Sequence, residues 1–188
     1  MSKLCFLGIG NPGTRYEGTR HNIGKDWLIK LSRDFGCEFI SKDKLEANTS
    51  FSHNDNIQWI IPNNFVNNSG QTVQKVMRYS NLSNEDLVVF YDDLDLNPGE
   101  VKIKLGGGHG GHNGLKDIFE KIGTRNFYRV RIGIGHPGDK NKVTDWVLGK
   151  SNPKDTSLIE ESFFDFCKVF NLLCERKFSE AQLQLHSE

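Results

Sequence analysis

With 188 residues, 36% of them hydrophobic and 26% charged, the chain has the size and composition of one globular domain with room for a real core. No apolar run approaches the ~20 residues that span a bilayer, which argues against a membrane-spanning protein. The 24 Lys/Arg balance 24 Asp/Glu, so the molecule as a whole is no polycation, yet residues 98–150 carry 10 basic against 5 acidic side chains.

The opening "MSKLCFLGIG" reads as a first strand, Lys3–Gly10, because glycines and "NPG" follow where a signal peptide would have a small-residue cleavage site. A helix follows on Ile23, Trp27, Leu31 and Phe35, stopped by Gly36. Ile57–Ile61 has strand character, and Val73, Val76 and Met77 mark a second helix. Leu87–Tyr91, "LVVFY", is continuously apolar, as for a strand buried on both faces. Val101–Leu105 and Phe127–Ile134 alternate instead, which predicts an antiparallel portion of the sheet. Between them Leu115, Ile118, Phe119 and Ile122 form a helical stripe. After Pro153 a long helix carries Leu158, Phe163, Phe166, Phe170 and Leu173, and the extra phenylalanines such as Phe164 are assigned to the core.

Strands alternating with helices predict a single α/β domain over residues 1–188, with a mixed, mostly parallel twisted sheet and helices on both faces. Cys5, Cys37, Cys167 and Cys174 form no C-x-x-C pair, so zinc ribbons and thioredoxin-like chemistry are unsupported, and scattered thiols suit a reducing compartment.

Ligands of open α/β sheets bind beyond the carboxyl ends of the parallel strands. The segments there deliver Asn11 and His21 after the first strand, Asn67 after the second, Asp92 after the third, and Asn113 from the glycine loop. This set suits hydrolysis. A neutral imidazole takes a proton from water, and a carboxylate on its other nitrogen fixes the tautomer. Side-chain amides hold a carbonyl and the oxyanion it becomes. No G-x-S-x-G elbow or nearby cysteine indicates a covalent nucleophile. Each residue has a plainer reading: His21 flanks a helix, Asp92 ends a strand, Asn11 starts a turn before Pro12. Asn68, three residues before Gln71, is assigned to a helix capping box.

"KLGGGHGGHNGLKD" packs six glycines into positions 106–114. A dinucleotide fingerprint is weak there, because an arginine, Arg131, stands where the ribose-binding acid belongs. His109 and His112 lack a third metal ligand at a suitable spacing. A phosphate received by backbone amides and the following helix start is better supported, flanked by Lys102, Lys104 and Arg131.

Together "GNPGTRYEGTRHNIG", "DDLDL", "KLGGGHGGHNGLKD" and "RIGIGHPGDKNKV" resemble bacterial peptidyl-tRNA hydrolase, in order and spacing, over about residues 3–150. The resemblance implies a monomeric cytoplasmic esterase, without metal or cofactor, that cuts the bond between a peptide and the 3′-terminal ribose of tRNA. Carried over, His21 is the base, Asp92 orients it, and Asn11, Asn67 and Asn113 hold peptide and reacting centre. Tyr16 and Phe65 line the cleft, with Val66, Gly110 and His112 also facing substrate, and Lys104 and Arg131 hold tRNA phosphate. Where the family usually reads "FMN" then leucine, this chain has Phe65-Val66-Asn67-Asn68. The rivals from other classes are a non-catalytic RNA-binding module using the same basic face and a nucleotide-linked oxidoreductase.

Overall fold

In the computed structural model, described for residues 3–53 and 56–187, seven strands form one sheet in the order β2-β3-β4-β1-β5-β7-β6. The strands are β1 (Leu4–Gly8), β2 (Ile40–Lys42), β3 (Ala47–Ser52), β4 (Ile57–Pro62), β5 (Leu87–Asp93), β6 (Val101–Leu105) and β7 (Tyr128–Gly133). The α-helices among the described residues are α1 (Ile23–Asp34), α2 (Ser69–Ser80), α3 (Asn113–Ile122), α4 (Val143–Leu148), α5 (Pro153–Cys174) and α6 (Phe178–His186). The central β4-β1-β5-β7 run parallel, while β2-β3, β3-β4 and β6-β7 pair antiparallel. The sheet is therefore mixed, as the alternating patterns of β6 and β7 predict.

Strand β5 explains why "LVVFY" has no polar member. Val88 and Phe90 enter one core with Trp27, Leu31, Phe166 and Phe170 from α1 and α5. Leu87, Val89 and Tyr91 enter the other with Val73, Val76, Leu115 and Ile118 from α2 and α3. Each large apolar side chain so buried contributes about 1.5–3 kcal/mol. β5 is the strand on which both layers rest, and the candidate site residue Asp92 lies at its carboxyl end.

The segment after residue 150 begins with Asn152 as N-cap, its side chain accepting from the Asp155 N–H at 2.8 Å, and Pro153 in the first helical turn. α6 then covers the edge strand β6. Gln182 donates to the Ile103 carbonyl (3.0 Å), and His186 Nε2 accepts from the Ile103 N–H (3.2 Å). An edge strand left bare would invite pairing with another chain, and these two side chains occupy the outward polar groups of Ile103 at its middle.

Two expectations are corrected here. Phe164 does not join the core: it is 66% exposed, because its neighbours Phe163 and Phe166 take the inward positions of α5. Asn68 precedes α2 but makes no side-chain cap; instead Asp117 of α3 accepts from the Gly70 N–H at 2.8 Å. A carboxylate from a neighbouring helix satisfies the α2 terminus in place of a local box.

Candidate active site

Asn11, Tyr16, His21, Phe65, Val66, Asn67, Asp92, Lys104, Gly110, His112, Asn113 and Arg131 all line one cleft of about 730 Å³ at the carboxyl ends of the parallel strands, whereas Lys102 lies outside its lining. They come from five separate stretches, and the local fold explains how each arrives. Gly24, in the first turn of α1, lies so close to β5 that a Cβ there would fall onto the Phe90 carbonyl oxygen and within 3.0 Å of Tyr91 Cα. Only glycine lets the start of α1 press against β5 in this way. That contact carries His21, in the 3₁₀ turn Arg20–Asn22, to Asp92.

His21 Nδ1 lies 2.7 Å from Asp92 Oδ2, and His112 Nε2 lies 2.9 Å from Asp92 Oδ1. The His112 side chain caps α3, its Nδ1 accepting from the Leu115 N–H at 3.3 Å. With Nδ1 an acceptor, the His112 proton sits on Nε2 and is donated to Asp92. An ionised Asp92 only accepts, so His21 donates from Nδ1 and keeps a lone pair on Nε2. The two imidazole rings stand 5.1 Å apart, and Tyr91 packs edge-on against His112 at 5.3 Å.

The electrostatics follow from this arrangement. Burial alone pushes the Asp92 carboxyl up, but His112 and His21, by charge and hydrogen bond, hold it well below the usual carboxylate range. Burial pulls His21 down, and the adjacent Asp92 charge and its hydrogen bond outweigh that, so His21 ends above its ordinary value. His21, Asp92 and His112 also bring three possible metal-ligand atoms within 4.8 Å of one another. Two hydrogen bonds to one carboxylate account for that clustering.

Asn11 is fixed by its own bonds. Its Oδ1 accepts from the Val66 N–H at 2.8 Å, which leaves Nδ2 as donor. The fully buried Asn22 grips the Asn11 backbone on both sides, accepting its N–H (2.8 Å) and donating to its carbonyl (3.0 Å). Asn67 and Asn113 are exposed at the rim, Asn113 opening α3. Tyr16 and Phe65 pack edge-to-face at 5.9 Å, and Val66 is buried behind them with Gly114 against it.

The glycine run is explained by backbone shape as much as by close approach. Gly106, Gly107, Gly110 and Gly111 all have positive φ, from 57° to 101°. Arg129 pins the loop from below, donating to the carbonyls of Gly108 (2.6 Å) and Gly107 (2.7 Å). His109 turns back on the loop, its Nδ1 accepting from the Gly111 N–H at 3.0 Å.

Antiparallel register sets Lys102 opposite Arg131 and Lys104 opposite Arg129, which places four cations on one face of the β6-β7 ribbon. Arg131 is tied to Asp93 at 2.7 Å, so its charge is partly matched, whereas Lys104 is exposed at the cleft. This ribbon holds four of the ten basic residues of 98–150; the others lie on α3, the turn after it and the segment round α4.

Three contributions escape the sequence reading. Asn22 stands next to His21 and looks like an ordinary helix-start residue. Arg129 was signalled by the alternation in "YRVRIGI", which puts it on the same face as Arg131. Val143, Thr144, Val147 and Leu148 of α4 form a further wall of the cleft.

A one-domain mixed-sheet α/β protein with a polar cleft beyond its parallel strand ends, built round a carboxylate-held imidazole, belongs to the class of ligand-transforming α/β enzymes. The sequence profile described as Peptidyl-tRNA hydrolase matches residues 5–188. Proteins named peptidyl-tRNA hydrolase from Shewanella baltica and Actinobacillus succinogenes are 40% and 42% identical, covering 100% and 99% of this chain and 98% of each relative. A crystal structure of peptidyl-tRNA hydrolase from Acinetobacter baumannii superimposes with a TM-score of 0.94 at 35% identity, covering 98% of this chain and 95% of that one. A complex of peptidyl-tRNA hydrolase with N-propanol gives 0.93 at 34% identity, with 98% and 94% coverage. The chain belongs to the peptidyl-tRNA hydrolase family, and so to the hydrolases. The match runs through the C-terminal helices, beyond the four motifs legible in the sequence.

Proposed function

We propose that the chain hydrolyses the ester between a peptide, or an N-blocked aminoacyl group, and the 3′-terminal ribose of tRNA, acting as a cytoplasmic monomer without metal or cofactor. His21 Nε2 takes a proton from water as the water oxygen attacks the ester carbonyl. Asn11, Asn67 and Asn113 amides donate to the oxyanion of the tetrahedral intermediate. The intermediate collapses, the ribose oxygen leaves with the proton from the His21 imidazolium, and the peptide departs as a carboxylic acid. Asp92 stays ionised throughout and stabilises that imidazolium.

The observation that carries this reading is the 2.7 Å contact from His21 Nδ1 to Asp92 Oδ2, which directs the other ring nitrogen to the reacting water. Three of the four asparagines that line the cleft, Asn11, Asn67 and Asn113, are the donors of this reading, each such donor being worth about 2.7–4 kcal/mol of barrier in comparable sites. Lys104, with Arg131 behind it, supplies positive charge for the tRNA phosphates. An ester suits this economy because an alkoxide leaves far more readily than an amine.

The test is release of tRNA from N-acetyl-aminoacyl-tRNA beside a free-amine aminoacyl-tRNA control. Fast release of the blocked substrate alone is expected. Equal rates on both would contradict the substrate class, and tRNA binding without release would favour a non-catalytic RNA-binding module.

A further inference from the structure

We infer that Arg20 is a positioning residue that fastens the His21 turn to the α4 wall of the cleft. This rests on the reading of His21 as base. Arg20 is only 7% exposed, which is unusual for an arginine with no acidic partner in an ion pair among the described residues. Its guanidinium carbon lies 3.6 Å from the centre of the Trp146 ring, and Nη1 donates to the Trp146 carbonyl at 3.0 Å. Its backbone N–H donates to the Gly149 carbonyl at 2.9 Å, and the preceding Thr19 bridges to Lys150. Nε is buried without a hydrogen-bond partner, so the stack and the single carbonyl bond hold the head group, with the Asp155 charge attracting it from beyond ion-pair distance.

Trp146 is in turn fixed, its Nε1 donating to the Gly135 carbonyl at 3.0 Å. It belongs to α4, whose Val143, Thr144, Val147 and Leu148 face the cleft. The two neighbours of His21 thus have complementary tasks. Asn22 grips the Asn11 loop, and Arg20 grips α4. The imidazole is held between two walls of the cleft that are far apart in sequence, and a displacement of about 1 Å at a reacting group lowers rates as much as 10²-fold. Lysine at position 20 would keep the charge but lose the planar face and the fork.

The test compares Arg20→Lys, Arg20→Gln, Trp146→Leu and Arg20→Gln/Trp146→Leu with wild type and His21→Ala. Thermal unfolding serves as the control for folding, and indole ¹⁵N signals are assigned by Trp146→Leu. Both Arg20 variants are expected to lower kcat roughly 10- to 100-fold with a much smaller change in KM. In Arg20→Lys the Trp146 indole signal moves while those of Trp27 and Trp59 stay. The double variant is no slower than the worse single one, because both break one clamp. Wild-type kcat in Arg20→Lys with the Trp146 signal displaced would overturn the clamp, as would effects of Arg20 and Trp146 that multiply. If Arg20→Gln fails to fold, Arg20→Lys alone decides. Failure of the underlying reading is distinct: His21→Ala would then retain turnover.

Discussion

Asp92 Oδ2 accepts from His21 Nδ1 at 2.7 Å although 71 positions separate them along the chain. The pairing is a product of packing. Gly24 lets α1 lie on β5, and β5 carries Asp92 to the strand end where the turn before α1 delivers its imidazole. The same carboxylate holds His112 through its other oxygen, so one buried anion orders two rings.

On the proposed mechanism, this relationship sets the pH dependence. His21 must be neutral to act as base, and its value lies above the ordinary ~6.5 because Asp92 outweighs burial. kcat/KM is therefore expected to rise with pH through a midpoint above 6.5 and to fall as His21 protonates below it. The sign for stability differs. The raised His21 value favours the fold below the unfolded ~6.5, and this contribution is lost as pH rises through the folded midpoint. The lowered Asp92 value favours the fold above ~3.9 and is lost as pH falls towards its folded midpoint. A pH–rate profile on the blocked substrate checks the midpoint; a rate flat from about pH 5 to 8, with chemistry limiting, contradicts it.

Asp92→Asn is expected to lower kcat by about 10³–10⁴-fold while keeping the fold, since an amide facing two imidazole donors turns one ring to the wrong tautomer. The pH midpoint should fall as the raising charge is removed. Measured kcat and midpoint together check this. A midpoint that does not move would mean that Asp92 is not what raises His21.

Arg129→Met is expected to destabilise the protein by about 2–3 kcal/mol, because the Gly107 and Gly108 carbonyls lose their donor. Thermal unfolding measures the loss. Amide exchange over residues 106–112 should accelerate more than exchange in α5, where Arg129 has no contact in this network.

Much of this was legible because the informative elements are strongly patterned. "LVVFY" reads as a strand buried on both faces, and Ile23, Trp27 and Leu31 mark α1 by their period. β2 and β3 were not legible: Ile40–Lys42 is exposed throughout, and "ANTSFS" holds its place by pairing with β4 and not by apolar alternation. α4 is one short turn-and-a-half among glycines and lysines, too brief for a period to emerge. Among the candidate site residues, His21 and Asp92 stood out by their places at element ends. Asn22 and Arg20 did not, because their value lies in partners as distant as Trp146, which no local pattern records.

The most direct measurement is single-turnover release from N-acetyl-aminoacyl-tRNA by His21→Ala, with tRNA affinity measured in parallel. Expected is unchanged affinity, an intact fold and a rate reduced by at least roughly 10²–10⁴-fold, the usual worth of a general base. A variant that binds tRNA and releases it at the wild-type rate would show that the imidazole held by Asp92 is not the base.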